Sequence, residues 1–265
     1  AMSDRRDPDA RDAGGGDAFA SGAADAAAGL MAHLLELRSR LMRALVALGL
    51  VFAVLLPFAN ALYAQLAEPL LRFLPEGGQL IAIDVASPFF APMKLALFVA
   101  LLLAMPYMLY QAWAFIAPGL YRHEKRLALP LLLAAVALFY AGLAFAYFVL
   151  LPAMFAFLTA TVPDGVAMMT DINAYLSFVL VMGLSAGLAF EVPVAVMVAM
   201  LLRWVTPAQL AEWRGYVVVV MAIAAALLTP PDGLSMVLLL VPMWLLYEAG
   251  LLLGRLVVKP APASG

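Results

Sequence analysis

Cysteine is absent from the chain, which excludes structural disulfides and thiolate-held metal centres. Histidine is nearly absent. His33 and His123 are the only two, too far apart for a His-Glu-x-x-His zinc motif. Charge is scarce as well: Asp, Glu, Lys and Arg make up 12% of the 265 residues, while hydrophobic residues make up 66%, against about 45–50% in a soluble domain. A soluble domain of this size still exposes about a quarter of the surface of its unfolded chain, and so little polar material cannot cover it. Lipid is therefore the solvent for most of the chain. The net charge of −2 says nothing about partners, because in a membrane protein the distribution of charge carries the information. No nucleotide-binding loop and no metal cluster is visible, so neither a cofactor nor a metal is expected.

The chain divides unevenly. Residues 1–30, with Ser3-Asp4-Arg5-Arg6-Asp7-Pro8-Asp9 and Gly14-Gly15-Gly16, read as a disordered cytoplasmic tail. Arg5-Arg6 do not open a targeting signal, since the next apolar run begins only at Leu41. A bilayer core of about 30 Å needs roughly 20 apolar helical residues. Runs of that kind cover residues 41–63, 92–115, 127–151, 175–204 and 234–253, with a shorter one at 216–228. The expected fold is all-α: a polytopic membrane protein of six helices over residues 31–255, followed by a second cytoplasmic tail at 256–265. Placing the N-terminus inside puts every basic residue but Arg72 and Lys94 on the cytoplasmic side. The positive-inside rule thus sets both termini in the cytoplasm, at a bacterial inner membrane. The fifth helix is too short for a normal bilayer. The sixth, carrying Pro242 and Glu248, is expected to be short too. Thinned lipid, packing against partners, or snorkelling of nearby polar groups would each meet the shortfall.

Several polar residues stand out. In His33-Leu34-Leu35-Glu36-Leu37-Arg38-Ser39-Arg40-Leu41, ahead of the first span, Leu34, Leu37 and Leu41 share a helical face. Spacing leaves two readings of Glu36: an i,i+4 pair with Arg40 worth a few tenths of a kcal/mol, or a ligand-binding carboxylate. Glu124, in Tyr121-Arg122-His123-Glu124-Lys125-Arg126, is either a stray acid in a topology-setting basic loop or a second such carboxylate. Glu191, in Ala189-Phe190-Glu191-Val192-Pro193, falls near the middle of the fourth run, where an ionisable side chain is a functional candidate by default. A protonated Glu191 bonded to a neighbouring helix is the structural alternative. Pro193 should kink that helix. A proton-coupled secondary transporter using Glu191 or Glu248 is the competing function, but it predicts internal repeats, and the two halves show no self-similarity. An intramembrane hydrolase is disfavoured, because no Ser–Lys pairing lies on the apolar runs.

Five segments resemble the TatC family, in family order and spacing from about Met31 to Arg255. They are 33–41, Asp84-Val85-Ala86-Ser87-Pro88-Phe89-Phe90, Tyr110-Gln111-Ala112-Trp113-Ala114-Phe115-Ile116-Ala117-Pro118, Phe190-Glu191-Val192-Pro193 and Leu228-Thr229-Pro230-Pro231-Asp232. The resemblance implies a signal-peptide receptor and assembly platform of the twin-arginine translocase, driven by the proton-motive force, and not an enzyme. It implies that Glu36, Glu124 and Phe115 bind the paired arginines of signal peptides on folded cargo. It also implies that single-span TatB-like and TatA-like subunits dock near Thr229, Pro230 and Asp232 and the last two helices, and that the chain self-associates in the bilayer. No nucleic acid is among the implied partners. Relatives often carry a polar amide where this chain has Met236, which removes one expected polar contact to a partner.

Overall fold

The computed structural model describes residues 13–71, 80–116, 124–161, 170–229 and 233–257. Helix α1 (Ala13–Leu55) continues through a 3₁₀ turn at Leu56–Phe58 into α2 (Ala59–Leu71). Helical backbone thus reaches back to Ala13, into the stretch expected to be a disordered tail. Alanine, the strongest helix former, recurs through residues 18–28 and suits it to a helix. After a two-residue strand, β1 (Leu80–Ile81), comes α3 (Ser87–Ile116), which runs through Pro92 and Pro106 without ending. Neighbouring helices in a membrane re-satisfy the backbone groups that such prolines release.

The third span does not end near residue 151. Helix α4 (Ala128–Phe145) passes through a π-helical stretch, Ala146–Leu150, into α5 (Leu151–Ala160). Pro152 falls in the first turn of α5, just after the amide of Leu151 has bonded five residues back to Ala146. That wider turn accommodates the missing amide, so the proline does not stop the helix. Strand β2 (Thr170–Asp171) pairs parallel to β1, Leu80 opposite Thr170. The fourth span is two helices, α6 (Ile172–Ala189) and α7 (Val192–Leu201), separated at Phe190-Glu191. A short α8 (Pro207–Glu212), held by a Thr206–Gln209 capping box, leads to α9 (Arg214–Leu228) and α10 (Gly233–Val257).

Among the described residues, five helical stretches are long and apolar enough to cross a membrane: Met31–Gln65, Ser87–Ile116, Ala128–Ala160, Ile172–Leu201 and Gly233–Leu256. Helix α9, at 15 residues, is about 22 Å long. The sixth helix corrects the expectation of shortness, because α10 has 25 residues. Pro242 is carried inside it, and Glu248 does not interrupt it because Arg214 neutralises the carboxylate. Arg214 Nη2 donates to Glu248 Oε2 at 2.7 Å, and its Nε lies 2.7 Å from Oε1.

Small residues let the helices approach closely. A Cβ on Gly142 of α4 would stand 2.5 Å from Ala186 O and 2.8 Å from Gly187 Cα of α6. A Cβ on Gly250 of α10 would stand 2.8 Å from Pro193 Cα, and one on Gly254 would overlap Met200 of α7. Gly183/Gly187 and Gly250/Gly254 are four residues apart, the small-xxx-small spacing of membrane helix contacts. Gly183-Leu184-Ser185-Ala186-Gly187 also spells Gly-x-Ser-x-Gly, the letters of a serine-nucleophile turn. The helix overrules the letters, since that chemistry needs a strand-to-helix elbow and Ser185 is buried in the interior of α6. Gly250→Leu should lower stability by about 1–3 kcal/mol through overpacking against Pro193 backbone. A fall in melting temperature in detergent checks it, with Gly49→Leu, whose Cβ would meet nothing within 4 Å, leaving the melt unchanged.

Candidate functional site

Among the described residues, three places in the apolar body carry the site residues expected from the sequence. The first is where the start of the first span meets the end of α3. The His33 ring stacks on Phe115 with centroids 4.3 Å apart and planes 24° from parallel. One turn along α1, Arg40 Nε and Nη2 reach Glu36 Oε1 at 2.9 and 2.7 Å. Both donors fall on one oxygen, which leaves Oε2 unpaired among the described residues. The pair is partly open, with side-chain exposures of 22% for Arg40 and 38% for Glu36. Leu34, Leu37 and Leu41 are all exposed, so the shared apolar face is turned away from the rest of the chain. Glu124 opens the 3₁₀ turn Glu124–Leu127 that leads into α4, but its side chain lies outside the described residues. The structure therefore joins Phe115 to the Glu36 segment through His33, and fixes Glu124 only by its backbone.

The second place is the break in the fourth span. Helix α6 closes with Phe190 N–H on Ala186 O, and Ala195 N–H bonds to Glu191 O as α7 begins. Pro193 sits in the first turn of α7, so the result is a two-residue interruption and not the bend that a proline inside a continuous helix gives. Phe190 packs on Phe145 with ring centroids 5.4 Å apart. Glu191 is half-buried, and its Oε1 has no hydrogen-bond partner among the described residues. An unmatched polar atom at such a depth is costly, so Glu191 calls for a proton, water or a partner.

The third place is the α9–α10 hairpin, clamped at one end by Arg214–Glu248. There the Tyr247 hydroxyl also donates to Leu210 O at 2.7 Å, fastening α8 to α10. At the other end Thr229 is buried, and its hydroxyl donates to Ala225 O at 2.8 Å. The Thr229 O–H therefore has its acceptor in the last turn of α9, and its oxygen can still accept from a donor. Pro230 and Asp232 lie outside the described residues. The outward face of α9 is bare, with Tyr216, Val219, Val220, Ile223 and Leu227 all exposed at helical spacing.

The family model for the Sec-independent protein translocase protein TatC matches residues 32–242. The chain belongs to the TatC family. It is 52% identical over 239 residues to the Sec-independent protein translocase protein TatC of Azotobacter chroococcum mcd 1, covering 89% of this chain and 94% of that protein. The protein of the same description from Escherichia coli K12 is 48% identical over 229 residues, 86% of this chain and 89% of its own length. A crystal structure of the twin-arginine translocase receptor TatC superposes with a TM-score of 0.74 at 38% identity, covering 86% of this chain and all of that one. As a TatC-family member this chain is a membrane-embedded component of protein transport and not an enzyme.

Some polar residues in this TatC-family chain carry no sequence signal. The Arg214–Glu248 pair joins positions 34 apart, a separation no periodicity marks. Lys94 donates to Asn173 Oδ1 at 2.6 Å and Ser177 Oγ at 2.9 Å, across 79 and 83 residues, so a Ser–Lys pairing does lie on the apolar runs, contrary to the expectation of none; the Ser177 hydroxyl itself donates to Asn173 O. The close-packed glycines could have been found, since their four-residue spacing is written in the chain.

Proposed function

We propose that this chain is the signal-peptide receptor of a twin-arginine translocase, reading paired arginines with Glu36 and Glu124 beside Phe115. The observation that carries the reading is the His33–Phe115 stack, which brings the aromatic at the end of α3 to within one helical turn of the Glu36 carboxylate. Guanidinium binds carboxylate through two parallel hydrogen bonds, a geometry lysine cannot match, so two carboxylates suit an Arg-Arg ligand. The ligand arrives against the field of Arg122, Lys125 and Arg126. Recognition is therefore short-range and assisted by the apolar stretch of the signal, not by long-range steering. Purified protein should bind an Arg-Arg signal peptide and reject its Lys-Lys counterpart. Equal binding of the two would remove the receptor reading.

The receptor works in a bacterial inner membrane with six spans and both termini cytoplasmic, its single-span TatB-like and TatA-like partners docking on α9 and α10. The bare face of α9 supports that docking. The orientation is supported by one of the two basic residues left on the outer side: Lys94 is held by Asn173 and Ser177, so its position answers to packing. Because the chain has no cysteine, introduced thiols report cleanly. Val85→Cys, at a position 99% exposed ahead of α3, should react with a membrane-impermeant thiol reagent in cells with a permeable outer membrane. Trp204→Cys, 76% exposed beyond α7, should react only after lysis. The reverse pattern would invert the topology.

A further inference from the structure

Where α3 and α6 begin, the described residues hold a half-buried cation above an apolar groove. Lys94 has three N–H donors, of which two go to Asn173 Oδ1 and Ser177 Oγ. The nearby acid is Asp171, to which Lys94 is electrostatically coupled. Its carboxylate is already engaged: Oδ2 accepts from the Ala174 amide at 2.9 Å, and Oδ1 from the Ile83 amide at 3.2 Å. Those backbone bonds are the main reason its carboxyl is held below the usual range. No ion pair to Lys94 is formed among the described residues, and its third donor is left over.

One turn further into the membrane from Lys94 and Ser177, a cavity of about 370 Å³ opens between α3, the π stretch and α6. Its walls include Leu95, Phe98 and Leu102 from α3, Tyr147 from the π stretch, and Leu180 and Gly183 from α6. From Leu95 to Leu102 is about 10 Å along the helix axis at 1.5 Å per residue. The lining is almost wholly apolar. π-helical turns gather at functional sites, and here the turn supplies the wall of the groove. Gly183 keeps the groove open, since a Cβ there would already touch Phe98 and Leu143 at 3.4 and 3.5 Å.

We propose that this groove is a specific site for an anionic phospholipid, its phosphate bound to Lys94 and one acyl chain lying along Leu95, Phe98 and Leu102. The two halves of the site match the two halves of the ligand. A phosphate takes the spare ammonium donor and charge, and an acyl chain fills a groove that water would leave unsatisfied. A zwitterionic lipid offers the same chain, but its own cationic group opposes Lys94. A basic side chain at a membrane surface favours an anionic lipid by about fivefold. The site rests on the membrane-spanning fold and not on signal-peptide recognition, so failure of either reading leaves the other standing.

The test is to delipidate the full-length protein in detergent and titrate it with phosphatidylglycerol or phosphatidylcholine, reading bound lipid by native mass spectrometry. Phosphatidylglycerol should bind about fivefold more tightly. Lys94→Gln should abolish the preference, Lys94→Arg should keep it, and Gly183→Leu should weaken both lipids by filling the groove. An unchanged preference in Lys94→Gln, or undiminished binding in Gly183→Leu, overturns the proposal. Should Lys94→Gln fail to fold, the comparison of wild type, Lys94→Arg and Gly183→Leu decides by the same criteria. Capture of a partner helix instead of lipid by a photoreactive group at Phe98 would also overturn it.

Discussion

Glu36→Ala and Glu124→Ala should each weaken binding of a twin-arginine peptide by about ten- to hundredfold. The figure corresponds to roughly 1.5–3 kcal/mol for one hydrogen bond to a charged group. The geometry at Glu36 sharpens the expectation. Both donors of Arg40 rest on Oε1, so Oε2 is open to an incoming guanidinium, which takes both oxygens only by displacing Arg40 from Oε1. A solvent-open i,i+4 pair contributes only a few tenths of a kcal/mol to the helix. Loss of Glu36 should therefore leave folding and insertion intact while affinity falls. Arg40→Ala separates the two readings of Glu36. If the carboxylate exists to pair with Arg40, both substitutions lower thermal stability and binding alike. If it exists to bind ligand, Arg40→Ala keeps most of the affinity, because the receiving carboxylate is still present. Isothermal titration with a soluble Arg-Arg peptide, alongside thermal melts of both variants, makes the comparison. Phe115→Ala belongs in the same series, and it should also unseat His33, whose ring it stacks on.

Most of the fold was legible because hydropathy is a strong local signal. Each long apolar run became helical, the fourth as two helices, and the span at Ser87–Ile116 even kept its two internal prolines. The misjudged ends have a common cause. The third run was ended at residue 151, just ahead of Pro152, and Pro193 was read as a bend. The outcome there depends on whether the preceding turn can widen, as at Ala146–Leu150, or break, as at Phe190-Glu191. That choice belongs to packing against neighbouring helices, not to the residues themselves. Glu248 misled in the same way: an acid looks like the end of an apolar helix until its distant partner Arg214 is known. At the candidate site, the composition of 33–41 marked Glu36. Only the fold joins His33 to Phe115, because the two lie 82 positions apart in the chain and meet through the packing of α1 along α3.

Lengthening α9 should abolish most export without preventing insertion. At 15 residues the helix spans about 22 Å, against about 30 Å for the hydrocarbon core. Its partner α10 has 25 residues, so the two sides of the hairpin are unequal, and α10 alone is long enough to cross. The mismatch is anchored at one end. Arg214–Glu248 and Tyr247–Leu210 tie the start of α9 and α8 to α10, while Thr229 closes the last turn of α9 on Ala225. The start of the short helix is thus fixed against its longer neighbour. The lipid must thin beside it, or another helix must cover it. Its bare face, from Tyr216 through Ile223 to Leu227, offers the apolar surface such a helix would cover. Inserting four leucines after Ala226 would add about 6 Å and turn the outer stripe by a ninth of a circle, since four residues at 3.6 per turn overshoot one turn by about 40°. A partner matched to the short span then meets a longer and misaligned surface. The expected result is normal membrane insertion by alkali extraction, a sharp loss of cross-linking between α9 and single-span partners, and export of a twin-arginine cargo reduced at least about tenfold, a loss of about 1.4 kcal/mol in coupling. Full export by the lengthened protein would mean that the shortness of α9 has no part in docking.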